Sequence, residues 1–245
     1  MRERNILRNF NGIPQVCHPV NELYTSHFEF VLSFHHVTVD ETRKLFCQIF
    51  PSIADLSFSD QRELYRWYYP MALSIDSLYR TQRIWGKFTK YAMSTALMCV
   101  DMFDPESFIG PEQGIRDRST IIESVRNYME EQVAVVLPSF DRIHLHEREM
   151  HALLALAMSE CDPKSEVSIQ VQNVMDTIRI DAMGEIRRFY KDEMHLTDYS
   201  MRLGNLMSLC HAIREGNVVF RDFFRAQISL FDLYSTEALL HEMFL

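Results

Sequence analysis

Four long stretches of this chain repeat apolar residues at the spacing of one helix face, and no other feature narrows the fold as much. Across 119–137 the stripe is Ile122, Val125, Met129, Val133 and Val136. Across 146–159 it is Met150, Leu153, Leu154, Ala157 and Met158. Across 166–191 it is Val171, Val174, Met175, Ile178, Ala182, Ile186 and Phe189, and across 199–214 it is Leu203, Leu206, Met207, Cys210 and Ile213. Residues three and four apart stand on one side of an α-helix, so each stripe is a surface that another element must cover. Only seven glycines and eight prolines occur in 245 residues. That is too few turn residues for a β-barrel, a hairpin-rich sandwich or a Gly-rich phosphate loop. The expected fold is all-α in a single domain, long enough to hold a core without disulfide or metal staples.

The remaining segments read as follows. Residues 1–37 form an irregular N-terminal segment, with Pro14 and Pro19 breaking any helix, and 38–245 form the folded domain. Thr38-Val-Asp-Glu41 resembles a capping box and opens a helical block that reaches about Arg80. Pro51 and the turn-like Ser57-Phe-Ser-Asp60 interrupt it. Aromatic and β-branched residues between Ile84 and Phe103 predict one short β-hairpin. Residues 104–118 hold two prolines and two glycines and read as the clearest loop. Thr236 to Leu245 is a short terminal helix with its own apolar face.

Composition and motifs bear on function mostly by exclusion. The net charge is −9 and no run of five or more basic residues occurs, so direct contact with DNA or RNA is not expected. Cys17, Cys47, Cys99, Cys161 and Cys210 are odd in number and include no CxxC pair, which suits free thiols in a reducing compartment. The start, MRERNILRNF, has no apolar signal core, and apolar runs such as Ala152 to Met158 are too short to span a bilayer. His146 and His151 mimic a zinc-protease signature, but at a spacing of five rather than four. Five residues turn a helix by roughly 500°, leaving the two rings about 140° apart. His35-His36 lacks visible partners, and Asp101, Asp104 and Glu106 read as a solvated loop cluster. There is no G-x-S-x-G, P-loop or GxGxxG. No catalytic constellation, metal site or cofactor is expected, so the chain is not read as an enzyme.

The stretch Phe46 to Arg66 reads FCQIFPSIADLSFSDQRELYR. It resembles the signature of nuclear hormone receptor ligand-binding domains, roughly F-A-K-x-x-P-x-F-x-x-L-x-x-x-D-Q-x-x-L-L-K. Phe46, Pro51, Leu56, Asp60, Gln61, Leu64 and the basic Arg66 fall on its fixed positions. Three further pieces follow in the order the family requires. Ser77-Leu-Tyr-Arg80-Thr81 is similar to the end of its fifth helix. LHEREMHALLALA, Leu145 to Ala157, is similar to its eighth, with Glu149 at the acidic position. RLGNLMSLCHAIR, Arg202 to Arg214, is similar to its long penultimate helix. Leu239-Leu-His-Glu242-Met-Phe244 then resembles the activation helix, and the divergent flavour is similar to the nuclear receptors of nematodes.

This resemblance implies a three-layer antiparallel α-helical sandwich with one small β-hairpin, acting as a ligand-regulated transcription factor in the nucleus. It implies an apolar small-molecule ligand, lipid or steroid-like, with Arg80 at the polar end of the pocket and Leu73 and Phe223 on its apolar wall. It implies a coregulator helix laid in a groove formed by Lys44, Gln48, Gln61, Arg62 and Arg66 together with Leu240, Glu242 and Met243 of the terminal helix 236–245. A basic residue and Glu242 would cap opposite ends of that partner helix, each meeting the favourable end of its dipole. Gln48 stands where the family carries a lysine, and Lys44 and Arg62 stand at positions that are usually apolar, so the groove is wetter and more basic than usual. The penultimate helix implies a homodimer or a heterodimer with another nuclear receptor. The family's two-zinc DNA-binding domain, with its eight ligand cysteines, is not in this sequence. A different class of reading also fits the residues: a ligandless helical dimerisation or interaction module whose pocket is filled by its own side chains.

Overall fold

The structure, a computed structural model, describes residues 23–26, 38–39, 41–44, 46–88, 90–94, 98–109, 117–160 and 168–231, with side chains through 227. The elements in chain order are β1 (Tyr24–Thr25), α1 (Pro51–Ala54), α2 (Phe58–Trp85), β2 (Tyr91–Met93) and β3 (Met98–Asp101), followed by α3 (Pro105–Ile109), α4 (Arg118–Phe140), α5 (Glu147–Met158), α6 (Ile169–Arg188) and α7 (Ser200–Phe231). Residues 38–39, 41–44 and 46–49 are helical as well. The architecture is all-α with one small sheet. α5 lies between α6 and α7, α2 packs on both α5 and α7, and α4 runs along α7.

The predicted hairpin is present as β2 and β3, antiparallel with Met93 opposite Cys99. β1 adds a third strand, parallel to β3, from a segment expected to be irregular. The predicted loop at 104–118 contains a short helix, α3. Asp104 initiates it, since its carboxylate accepts from the backbone N–H of Ser107 at 3.0 Å. The helix expected to stop near Arg214 continues to Phe231. Gly216 is what makes this continuation pack. A Cβ there would lie 3.0 Å from both Gln132 Oε1 and Val136 Cγ2, so its missing side chain lets α7 approach α4 closely. The Gln132 amide donates to the Gly216 carbonyl across the contact.

Local chemistry accounts for the other boundaries. Ser57 caps α2 by accepting from the Asp60 N–H. His146 and Glu149 form a capping box at α5, which fixes His146 as a helix start. Pro70 sits inside α2 and cannot donate to the Arg66 carbonyl one turn back. Arg221 of α7 donates to that oxygen at 2.9 Å, and its guanidinium lies 4.1 Å above the Trp67 ring. A proline that ordinarily weakens a helix here leaves an acceptor open to a neighbouring helix.

One buried ionic knot ties α5, α6 and α7 together. Glu149 is fully buried. It accepts from Arg202 Nε and Nη2 at 2.6 and 2.7 Å, from the Tyr190 hydroxyl at 2.7 Å and from the His146 N–H at 2.8 Å. Gln82 does similar service for the chain ahead of α5, donating to the Ile143 carbonyl at 2.7 Å and accepting from the Leu145 N–H at 2.6 Å. Every polar atom of the Glu149 carboxylate is thereby matched, the condition for burying a charge at tolerable cost.

Candidate functional site

A cavity of about 240 Å³ lies between α2, α4, α7 and the sheet. Each helix contributes one face at helical spacing. Pro70, Leu73, Ser74, Ser77, Leu78 and Thr81 come from α2, and Tyr128, Met129, Gln132, Val133, Val136 and Leu137 come from α4. α7 supplies Phe220, Phe223 and Phe224. Met93, Ser94, Val100 and Met102 close the sheet end, and Phe108 of α3 adds a further aromatic wall. Leu73 and Phe223, both expected from the sequence, are therefore in the wall. The space falls below the about 300 Å³ at which small-molecule sites usually begin.

No described residue in the wall carries a charge. Its polar groups are two kinds. Some are already bonded within the protein: Thr81 Oγ1 donates to the Ser77 carbonyl at 2.7 Å and accepts from the Met93 N–H at 3.0 Å. Ser74 donates to the Pro70 carbonyl at 3.0 Å, and Ser94 bonds Ser26 at 3.0 Å. Among the described residues, the hydroxyls of Ser77 and Tyr128 make no hydrogen bond. The Tyr128 ring is stacked on Phe223 with centroids 4.3 Å apart, and burial pushes its phenol above the ordinary range, so it stays a proton donor. Sequence reasoning passed over Tyr128. The available signal was a polar-tipped aromatic next to Met129 within an otherwise apolar stripe.

Arg80 is not among the described wall residues. It shares the adjoining face of α2 with Asp76, four residues earlier, and its Nε donates to Asp76 Oδ2 at 2.7 Å. A third of the side chain is exposed (33%), so the two residues form a partly exposed ion pair.

The coregulator residues divide by place. Lys44, Gln48 and Arg62 are exposed, and Lys44 pairs with Glu41 at 2.7 Å. Arg66 is mostly covered and pairs with Glu63 at 3.0 Å, while its Nε has no hydrogen-bond partner. Gln61 donates to the carbonyls of Ala54 and Leu56 at 3.2 and 2.9 Å, so it closes the α1–α2 turn. Asp60 of the same motif accepts from Ser57 at 2.9 Å and from Ser168 at 3.1 Å, joining that turn to the start of α6. Ile49 and Phe58 are exposed apolar side chains on this side of the signature. Leu240, Glu242 and Met243 lie outside the described residues, as does the whole predicted terminal helix.

Among the described residues no group of three His, Cys, Asp or Glu side chains is placed to hold a metal, and no helix is long and apolar enough to cross a membrane. The candidate loop acids have structural partners: Asp101 bonds Lys90 at 2.7 Å, and Asp104 caps α3.

Comparison with known proteins gives the fold and the cavity a context. The chain is 20% identical over 222 residues to nuclear hormone receptor family member nhr-43 of Caenorhabditis elegans, an alignment that covers 86% of this chain and 46% of that protein. The chain thus spans about half the length of the curated relative it matches. The family model for the ligand-binding domain of nuclear hormone receptors matches residues 17–225, most of the chain, and the chain belongs to that family.

Proposed function

We propose that this domain is a ligand-dependent switch that recruits a coregulator helix and acts in the nucleus. At the family level its relatives are in general ligand-regulated transcription factors rather than enzymes. The observation that carries the reading is the unfilled apolar space of about 240 Å³ bounded by α2, α4, α7 and the sheet. A module with a fully filled pocket would leave less space, which supports a small-molecule site with Leu73 and Phe223 among its contacts. Its size suits a compact apolar molecule, and a lipid or steroid needs the walls to move apart. Arg80, held by Asp76 outside the wall, is a surface residue in this reading unless that pair opens.

The switch works by differential binding. A ligand that fits one arrangement of the helices better shifts the population toward it, and the groove formed by Lys44, Gln48, Arg62 and Arg66 with Glu242 of the terminal helix changes its affinity accordingly. Dimerisation with itself or with another nuclear receptor would use α7, where Met201 and Val218 are exposed.

The test is native mass spectrometry of the purified domain, paired with anisotropy titration of a fluorescent amphipathic coregulator helix. The expected result is a small apolar mass that co-purifies and whose removal lowers peptide affinity, with neither effect in Leu73→Trp, which fills the cavity. A bare chain whose peptide affinity is indifferent to cavity filling refutes the switch.

A further inference from the structure

The cavity wall specifies more than apolarity. Among the described residues it offers no cation to neutralise an acid and no carboxylate to hold an amine. A charged group carried into such a space keeps its desolvation penalty uncompensated. Of the polar groups present, Thr81, Ser74 and Ser94 are engaged with the protein itself, and the Gln132 amide donates to the Gly216 carbonyl. Among the described residues, the hydroxyls of Ser77 and Tyr128 have no hydrogen-bond partner. Both residues are half-buried in the wall, and a hydroxyl that donates to no protein group there is available to a ligand oxygen.

Of these two, Tyr128 is the better placed to act as a fixed donor. Its ring is held against Phe223 at 4.3 Å and an interplanar angle of 17°, with Phe220 at 6.1 Å, so its two torsions are restricted before any ligand arrives. Ser77 is a helix residue whose hydroxyl can also turn back to its own helix.

We propose that the cavity takes a compact, uncharged and largely apolar molecule whose single oxygen, a carbonyl or ether, accepts a hydrogen bond from the Tyr128 hydroxyl. This rests on the reading of the cavity as a ligand site. An apolar protein cavity of about 150 Å³ holds benzene, so by proportion 240 Å³ suits about ten heavy atoms, one or two fused rings. The wall thereby sets apart neutral ring compounds with one acceptor from fatty acids, whose carboxylate has no counter-charge among the described wall residues.

Three probes of one shape test this by calorimetry at pH 7.5: tetralin, which has no acceptor, 1-tetralone, which has one, and 1,2,3,4-tetrahydro-1-naphthoate, which is charged. The wild-type domain is expected to bind tetralone at least about tenfold more tightly than the naphthoate. In Tyr128→Phe, which keeps the ring and its stack, the ratio of tetralone to tetralin affinity falls about five-fold, the worth of one neutral hydrogen bond. Comparing ratios cancels any general change in the cavity. A naphthoate that binds as tightly as tetralone overturns the uncharged class. An unaltered ratio in Tyr128→Phe, or the same loss in Ser77→Ala instead, overturns the anchor while tetralin binding leaves the cavity reading standing. If none of the three binds, both the anchor and the ligand-site reading fall.

Discussion

Replacing Arg202 by Met probes the buried knot that holds α5, α6 and α7. The substitution keeps most of the apolar stem and removes the two charged hydrogen bonds at 2.6 and 2.7 Å to a carboxylate with no exposure to solvent. Glu149 keeps only the Tyr190 hydroxyl and the His146 N–H as donors. Stranding one partner of a buried ion pair costs about 3–5 kcal/mol. In a domain of this size that lowers the melting temperature by roughly 6–20 °C. In urea, with a slope of about 3 kcal/mol/M, the midpoint drops by about 1–1.7 M at constant slope. Arg188→Met is the matched control, because its pair with Glu185 is about two-thirds exposed on both sides (68% and 69%). That control is expected to stay within about 0.5 kcal/mol. The double variant Arg202→Met/Glu149→Gln removes the stranded charge and is expected to be more stable than Arg202→Met alone. A loss below about 1 kcal/mol for Arg202→Met, or a double variant whose cost equals the sum of the singles, refutes the claim that charge stranding dominates.

Two glycines of α7 are expected to answer alanine in opposite directions. At Gly204 nothing lies within 4 Å of an added Cβ and the site is exposed, so Gly204→Ala stabilises by about 0.5–1 kcal/mol in chemical denaturation. At Gly216 the added Cβ meets Val136 and Gln132 at 3.0 Å, so Gly216→Ala forfeits that gain and destabilises by about 1–2 kcal/mol. The described cysteines separate by reactivity. Burial, first of all, pushes the Cys99 and Cys210 thiols up to about 12, so at pH 8 both remain protonated and covered. Timed iodoacetamide labelling read by peptide mass spectrometry is expected to modify half-buried Cys47 well before either of them, and equal labelling rates contradict the buried placement.

How much of this was legible in the sequence follows from which forces are local. The stripes at 119–137, 146–159 and 166–191 mark α4, α5 and α6 because burial of one helix face is written at a fixed period. Phe46, Leu64 and Ile53 are buried, so the motif that carried the family resemblance is mostly a packing motif, with Gln61 and Asp60 closing its turn. The apolar stripe read for α7 stopped at 214, and the following Glu215-Gly216-Asn217 has the composition of a helix stop. Whether such a glycine ends a helix or admits a neighbour depends on α4, some eighty residues away in the chain. β1 was invisible for a related reason: two residues, Tyr24 and Thr25, have no periodicity, and only β3 makes them a strand. Arg80 was placed at the pocket by its position in a motif, and the i−4 spacing also offered Asp76, with which it pairs. Tyr128 went unnoticed because a hydroxyl without a hydrogen-bond partner in a cavity wall is something a sequence does not display.

The proline in α2 has a mechanical consequence. With no N–H at position 70, the Arg66 oxygen has no i+4 donor from its own helix, and Arg221 holds it at 2.9 Å while its guanidinium lies over the Trp67 ring at 4.1 Å. Sliding α7 along its axis by a single residue, about 1.5 Å, breaks that bond and unstacks the ring. Pivoting about Arg221 breaks neither. The three phenylalanines in the cavity wall, Phe220, Phe223 and Phe224, sit within one turn of this fulcrum. The strut therefore opposes translation of α7 and ties the aromatic wall of the cavity to the backbone at Arg66.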